Sequence, residues 1–373
     1  MQINTTFDFH DILTTVTLVQ LLLFSFYLLT QKKGKLISNR ILAVFLFSKS
    51  IVIINVFFYI YNIISLHLYF ILVPFAFLYG PSLFLYTKSV AYKNFELKKW
   101  DAFHLVPFLL CSGYFLYIYH LRSAATKVII MSDTVGQARI EESIIVSLIY
   151  LQIFCYLTAS ILTLLSYRSE LKKLYSDTKR MDLPWLNFVL FGYSLIWIID
   201  LFTFILNRAS IPTPFLSSLS LIMTFTYANI IVYKGLKQPE IFNGIEKGPK
   251  YKHSKLTQSE KAAYLKQIES FMEQEKPYLI PSLTLNDLAE KVSIPPRYLS
   301  QIINESLGKN FFDFINSYRI EEAKQILQDS SNSGFNILEL LFEVGFNTKS
   351  VFNRVFKNYT GMTPTEYKKS HQG

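Results

Sequence analysis

Cysteine is almost missing. Cys111 and Cys155 are the only two in 373 residues, and both fall inside apolar runs. That excludes a disulfide-stapled scaffold, and six scattered histidines leave no clustered ligand set for zinc. Both thiols are expected to behave as buried small hydrophobes. Charge is scarce too. Asp, Glu, Lys and Arg make up 17% of the chain, against about 25% in an ordinary soluble domain. The deficit is uneven: residues 1–250 carry 22 Lys/Arg and 13 Asp/Glu, whereas residues 251–373 carry 15 and 14. A wholly soluble protein and a disordered chain are both excluded. The net charge of +10 does not in itself point to nucleic acid, because nine of the ten lie before residue 251.

What fills the first part is apolar sequence in seven runs: Ile12–Leu29, Ile41–Tyr61, Leu68–Thr87, Phe103–Leu121, Ile144–Tyr167, Trp185–Leu206 and Phe215–Tyr233. Each is long enough for a helix to cross a hydrocarbon layer of about 30 Å. Lipid offers the backbone no hydrogen-bond partners, so helices are expected rather than open strands. The first run lacks a basic flank and a small-residue cleavage site, and is expected to be retained. Segments 30–40, 88–102 and 168–184 hold 13 Lys/Arg, against 4 in segments 1–11, 62–67, 122–143 and 207–214. Positive loops stay in the cytoplasm, so the N-terminus is expected outside and everything after Lys234 inside, on the inner (cytoplasmic) membrane.

Two ionisable residues interrupt the runs. Lys49 and Asp200 are candidate sensor residues, since charge within a membrane span is costly and is kept for a purpose. The plainer reading is that Lys49 snorkels to the cytoplasmic face while Asp200 finds a polar neighbour. Pro74 and Gly80-Pro81 predict a kink in the third helix.

Residues 234–255 mix Gly, Pro and Lys without apolar period and read as a linker. The domains are thus expected at 1–233, 234–255 and 256–373. Past the linker the pattern is all-α. Thr257 with Glu260, Thr284 with Asp287, Asn336 with Glu339, and Thr363-Pro364 with Glu366 mark helix starts.

An internal repeat organises this half. Leu285, Leu288, Val292 and Ile294 recur 52 positions later as Ile337, Leu340, Val344 and Phe346. Leu299, Ile302, Ile303, Gly308 and Phe314 recur 53 later as Phe352, Val355, Phe356, Gly361 and Tyr367. Each copy reads as a short helix, a tight turn and a second helix, which is a helix-turn-helix present twice. Helical spacing places Arg297, Ser300, Gln301 and Asn304 opposite the apolar face of the first second-helix. It does the same for Lys349, Ser350, Asn353, Arg354 and Lys357 in the other copy. Arg, Lys, Asn and Gln are the side chains that pair with base edges and phosphates in the major groove.

The stretches LTLNDLAEKVSIPPRYLSQIINESLGKNFFDFINSYRIEEAKQIL and ILELLFEVGFNTKSVFNRVFKNYTGMTPTEYKK make residues 278–369 resemble the DNA-binding domain of the AraC/XylS family of bacterial transcription regulators. The resemblance implies two helix-turn-helix units joined by a long helix, Phe311–Gln328, with the two recognition helices in successive major grooves. It further implies base-contacting positions at Arg297, Ser300 and Gln301, and at Lys349, Asn353 and Arg354. Lys357 lies towards the phosphates.

The whole chain is then expected to be a membrane-anchored regulator whose partners are double-stranded DNA, the lipid bilayer and an unknown signal ligand. Pairing of two copies as a homodimer is one route of control. No phosphate-binding loop or His/Asp signalling block is present, so neither a cofactor nor an enzymatic activity is expected. A transporter or membrane enzyme carrying a helical protein-binding module stays open as a second reading.

Overall fold

The computed structural model describes residues 9–32, 35–60, 66–123, 126–127, 140–178, 181–237, 256–328 and 336–372. Most of the expected linker and most of segment 122–143 lie outside them. The described residues are all-α, with a single isolated bridge between Tyr175 and Thr284. The chain divides into two compact units, Met1–Leu165 with Leu183–Glu246, and Ser166–Asp182 with Lys247–Gly373.

The first unit is built from α1 (Phe9–Thr30), α2 (Leu36–Ile60), α3 (Leu66–Leu72), α4 (Tyr79–Ala91), α5 (Val106–Phe115), the first part of α6 (Ile140–Leu174), α7 (Pro184–Arg208) and α8 (Pro214–Lys237). Among the described residues seven helical stretches are long and apolar enough to cross a membrane: Phe9–Thr30, Leu36–Asn55, Leu68–Ala91, Lys99–His120, Ser143–Leu174, Pro184–Arg208 and Pro214–Lys234. They coincide with the seven apolar runs. At the expected kink the helix passes into a 3₁₀ segment, Val73–Leu78, with Pro74, which has no amide to donate, near its start.

The bundle partly inverts the usual burial pattern, with large apolar side chains on its surface and several polar ones inside an otherwise apolar core. Leu23, Phe26, Leu110 and Phe191 point outward and are about two-thirds exposed, whereas Thr17, Ser48, Ser50, Asn55 and Ser160 are fully buried. Water would reject such an outer surface; a hydrocarbon solvent would not. The same inversion corrects one expectation: Cys111 is buried, but Cys155 lies on the exposed face of α6. Helix α1 packs on α2 and α8, α2 on α4, and α7 on α8. Polar links join them: Gln20 and Asn229 exchange side-chain hydrogen bonds, Ser25 Oγ donates to the Ala43 carbonyl, and Trp185 Nε1 donates to the Tyr86 hydroxyl.

The second unit holds α9 (Gln258–Glu275), α10 (Leu285–Lys291), α11 (Pro296–Leu307), α12 (Phe311–Gln328), α13 (Ile337–Glu343), α14 (Lys349–Thr360) and α15 (Pro364–Gln372). Three of the four expected helix starts form reciprocal caps. Thr257 with Glu260, Thr284 with Asp287 and Thr363 with Glu366 exchange side-chain to backbone hydrogen bonds of 2.7–3.3 Å. The fourth is simpler: Asn336 Oδ1 accepts from the Leu338 amide.

Two apolar cores result. Ile268 and Met272 of α9 join Leu285, Leu288, Val292, Ile294, Leu299, Ile302 and Ile303 in the first. Leu340, Leu341, Val344, Phe346, Val351, Phe352, Val355 and Phe356 make the second. Helix α12 serves both, giving Phe311, Phe314 and Ile315 to one and Phe312, Ile320, Ala323 and Leu327 to the other. One continuous helix therefore fixes the spacing of the two helix-turn-helix units, with the bounds expected for it.

Candidate nucleic-acid interface

In the second helix-turn-helix, the turn between α13 and α14 needs a backbone that few residues tolerate. Gly345 sits at φ +85°, and a Cβ there would lie 2.8 Å from the carbonyl oxygens of both Tyr278 and Leu279. Its repeat counterpart, Ser293, reaches the same left-handed region at φ +53°. The turn aims α14 so that Val351, Phe352, Val355 and Phe356 are buried. Lys349, Arg354 and Lys357 are exposed and Asn353 is half-buried, as the spacing predicts. Lys349 and Arg354 make no hydrogen bond or ion pair among the described residues, and the Asn353 Oδ1 has no partner. The result is a cationic, hydrogen-bonding ridge with no carboxylate of its own.

The first recognition helix differs from expectation. On α11, Leu299, Ile302 and Ile303 are buried as predicted, but Ser300 and Gln301 are buried too, at 3% and 6% exposure. Gln301 Nε2 donates to both oxygens of Glu305, one turn on, at 3.0 Å. Glu305 in turn pairs with Lys261 of α9 at 2.6 Å. These hydrogen bonds from Lys261 and Gln301 hold the Glu305 carboxyl below the usual carboxylate range. Helical period gives the direction of a side chain, not what its neighbours do with it. Arg297 is half-buried, with no partner for its Nε.

Sequence reasoning missed the polar centre of this unit. Arg319 of α12 is 1% exposed. Its guanidinium donates to the carbonyls of Tyr278 at 2.6 Å and Ile280 at 2.9 Å, and lies 5.4 Å from the Phe346 ring centre. Burial lowers its pKa to about 10, partly offset by the charge of Asp177, so it stays cationic at neutral pH. Around it lies the segment Ser166–Asp182. Ser176 Oγ donates to the Leu283 carbonyl at 2.7 Å, and Arg319 Nη2 and Asn316 Nδ2 donate to Ser176 at 3.4 Å. Asn347, two residues before α14, donates to Asp177 at 2.8 Å and to Ser282 at 2.9 Å. The only sequence signal was a basic-rich loop, which read as topology.

In the first unit, Lys49 and Asp200 line one cavity of about 820 Å³. The Lys49 ammonium lies 5.3 Å and 5.9 Å from the ring centres of Tyr79 and Tyr193. Asp200 has found a polar neighbour, accepting a hydrogen bond from Ser220 of α8.

Comparison with known proteins agrees with this geometry. A helix-turn-helix domain family matches residues 288–370. The chain is 28% identical over 120 residues to the Msm operon regulatory protein of Streptococcus mutans, covering 32% of this chain and 41% of that one. It is 36% identical over 86 residues to an uncharacterized HTH-type transcriptional regulator of Staphylococcus aureus, covering 23% and 11%. It is 32% identical over 91 residues to the melibiose operon regulatory protein of Escherichia coli, covering 24% and 29%. The chain thus spans less than half the length of each of these relatives. No solved structure matches significantly. Two stacked helix-turn-helix units on one joining helix, with these relatives, make residues 288–370 an AraC-type DNA-binding domain, preceded in the chain by seven apolar helices.

Proposed function

We propose that this chain is a membrane-anchored, sequence-specific DNA-binding transcription regulator that couples a signal received by its apolar bundle to gene expression. The observation that carries it is the exposed cationic ridge of α14, Lys349, Arg354 and Lys357, on a tandem helix-turn-helix. Arg354 has the fork that pairs with guanine, and Lys357 is suited to phosphate. On the first helix, Arg297 is poised for contact, while Ser300 and Gln301 would have to be freed from their present burial.

The bundle belongs in lipid because its outer face is apolar, as apolar side chains such as Leu23, Phe26, Leu110 and Phe191 lie exposed on it. The 13-to-4 charge asymmetry supports a cytoplasmic position for residues after Lys234. Coupling runs through Ser166–Asp182, the end of the fifth apolar helix and the segment that leads to the sixth. Its Ser176 and Asp177 bond to residues beside both helix-turn-helix units, so displacing it changes the support of both. The signal acts by binding two states of the bundle with different affinity.

The test is genome-wide mapping of DNA bound by the full chain in its own cell, followed by titration of the selected site with purified protein in lipid nanodiscs at several salt concentrations. Sequence-dependent binding with a steep salt slope is expected. No recovered site, with folded protein, overturns the reading and favours a protein-binding module.

A further inference from the structure

The bundle cavity holds charges and hydrogen-bonding groups that the fold itself leaves unmatched. Lys49 has aromatic faces on two sides and no carboxylate within 4 Å among the described residues. Among the described residues the Tyr79 hydroxyl, on a residue 5% exposed, has no hydrogen-bond partner. Neither has Trp197 Nε1, nor Asn55 Oδ1 on a residue 1% exposed. All four residues line the same cavity as Asp200. A buried polar group without a partner is destabilising, so several around one cavity mark a place where a ligand supplies what the protein does not.

The unmatched groups sort by sign. Lys49 and Trp197 Nε1 can only donate, and the Tyr79 hydroxyl can donate. Together they suit a carboxylate. Asp200, with one oxygen engaged by Ser220, and the Asn55 carbonyl can only accept, and suit an ammonium. Asp11, also in the lining, adds a second carboxylate. A purely anionic ligand would face two carboxylates, and a purely cationic one would face Lys49. A molecule with both charges satisfies each. The rest of the lining mixes apolar side chains, including Val52, Ile149 and Leu221, with hydroxyl and amide groups such as those of Thr17, Tyr150 and Asn207. At 820 Å³ the cavity is far larger than one amino acid and lies within the usual range for drug-sized ligands, about 300–1,000 Å³.

We propose that this cavity binds a short apolar peptide with free termini, its carboxylate on Lys49, Tyr79 and Trp197 and its ammonium on Asp200 and Asn55. This deepens the sensing half of the function proposed above, and rests on it only for what binding does, not for whether binding occurs.

The test uses the full chain in lipid nanodiscs, with leucyl-phenylalanine as probe and L-phenylalanine as the free amino-acid arm. Intrinsic fluorescence is one readout, since Trp197 is in the lining, and thermal stability is the other. The dipeptide is expected to change both, with the fluorescence change lost in Trp197→Phe. Lys49→Gln and Asp200→Asn should each weaken binding by about tenfold or more, and Tyr79→Phe by about two- to tenfold. The ends are assigned with capped peptides. The N-acetylated dipeptide should bind weakly and be indifferent to Asp200→Asn, and the C-amidated one should be indifferent to Lys49→Gln. Binding of L-phenylalanine with the same dependences would support the same recognition and make a free amino acid the source. Equal binding of capped and free peptides, or no binding of either probe at millimolar concentration, overturns the proposal. DNA binding is titrated on the same samples. Loss of the peptide result with DNA binding intact removes the cavity assignment alone, and peptide binding without any DNA binding removes the regulator reading alone.

Discussion

Arg354 and Gln301 were read from the same argument, a helix period that turns some residues away from an apolar core, and they ended in opposite environments. Arg354 is exposed and unpaired, whereas Gln301 is buried and tied to Glu305. If Arg354 reads a base, Arg354→Ala should cost about 1–3 kcal/mol of DNA affinity and relax preference at one or two positions. Lys357→Ala should weaken all sequences alike and lower the salt slope by about one. Titration on single-base variants of the selected site separates the two, and equal loss on every sequence for Arg354→Ala would make it a phosphate contact. Glu305 makes the opposite prediction. Its removal frees the Gln301 amide and takes a carboxylate from beside the face of α11 proposed to meet DNA, so Glu305→Ala should raise DNA affinity. The loss of an ion pair this exposed should cost about 1 kcal/mol of stability or less. The pH dependence follows the lowered carboxyl: the stabilising contact is complete above the unfolded carboxylate value and disappears as pH falls through the folded one. The protection of α11 amides, measured against their intrinsic exchange rate at each pH, should therefore hold from pH 7 to 5 and fall in more acid solution. Unchanged affinity in Glu305→Ala would show that Gln301 is not held back.

At the scale of elements, the sequence made most of this fold legible, because it wrote the same supersecondary unit twice. The offset of 52 between Val292 and Val344 and between Ile294 and Phe346 places equivalent residues in equivalent cores, and the caps at Thr257, Thr284 and Thr363 form as spaced. Apolar length alone located the seven bundle helices. What could not be read is what depends on contacts distant in sequence: the grip of Arg319 on Tyr278 and Ile280, the clasp at Ser176, and the burial of Ser300. The turns test the repeat directly. Gly345→Ala puts a side chain in the left-handed region and against two carbonyl oxygens at 2.8 Å, and should destabilise the second unit by about 2 kcal/mol or more. Ser293→Gly relieves the first turn, where φ is +53°, and should be neutral or stabilise by up to about 1 kcal/mol. Thermal unfolding of the two variants should move in opposite directions or by clearly different amounts. Equal destabilisation would mean that the two turns are not equivalent.

For the whole molecule, an apolar bundle and an AraC-type domain share one chain, and a regulator built that way needs both correct sidedness and a relay. Sidedness is tested by fusing a reporter active only in the cytoplasm. Activity after Lys237 and silence after Asp133 are expected, and the reverse pattern would overturn the orientation. The relay is the harder claim. Residues 166–182 form one compact unit with the DNA-binding domain although they comprise the end of the fifth apolar helix and the segment that leads to the sixth. Within that unit Asp177 meets Asn347 beside the second recognition helix, and Ser176 meets Leu283 beside the first helix-turn-helix. A side-chain hydrogen bond contributes about 0.5–1.5 kcal/mol, enough to shift a two-state equilibrium by about two- to tenfold without unfolding either state. Asp177→Ala should therefore leave membrane insertion and protein level unchanged, keep sequence-specific DNA binding, and alter target-gene output in the absence of signal by about that factor. Asn347→Ala removes the same bond from the other side and should give the same basal shift, and the double variant should add little to either, as expected for two partners in one contact. Transcript levels from a target promoter, measured in the four strains with protein quantified in parallel, decide it. Additive effects of the two substitutions would place them in separate roles, and no basal change in either would remove this segment from signal relay.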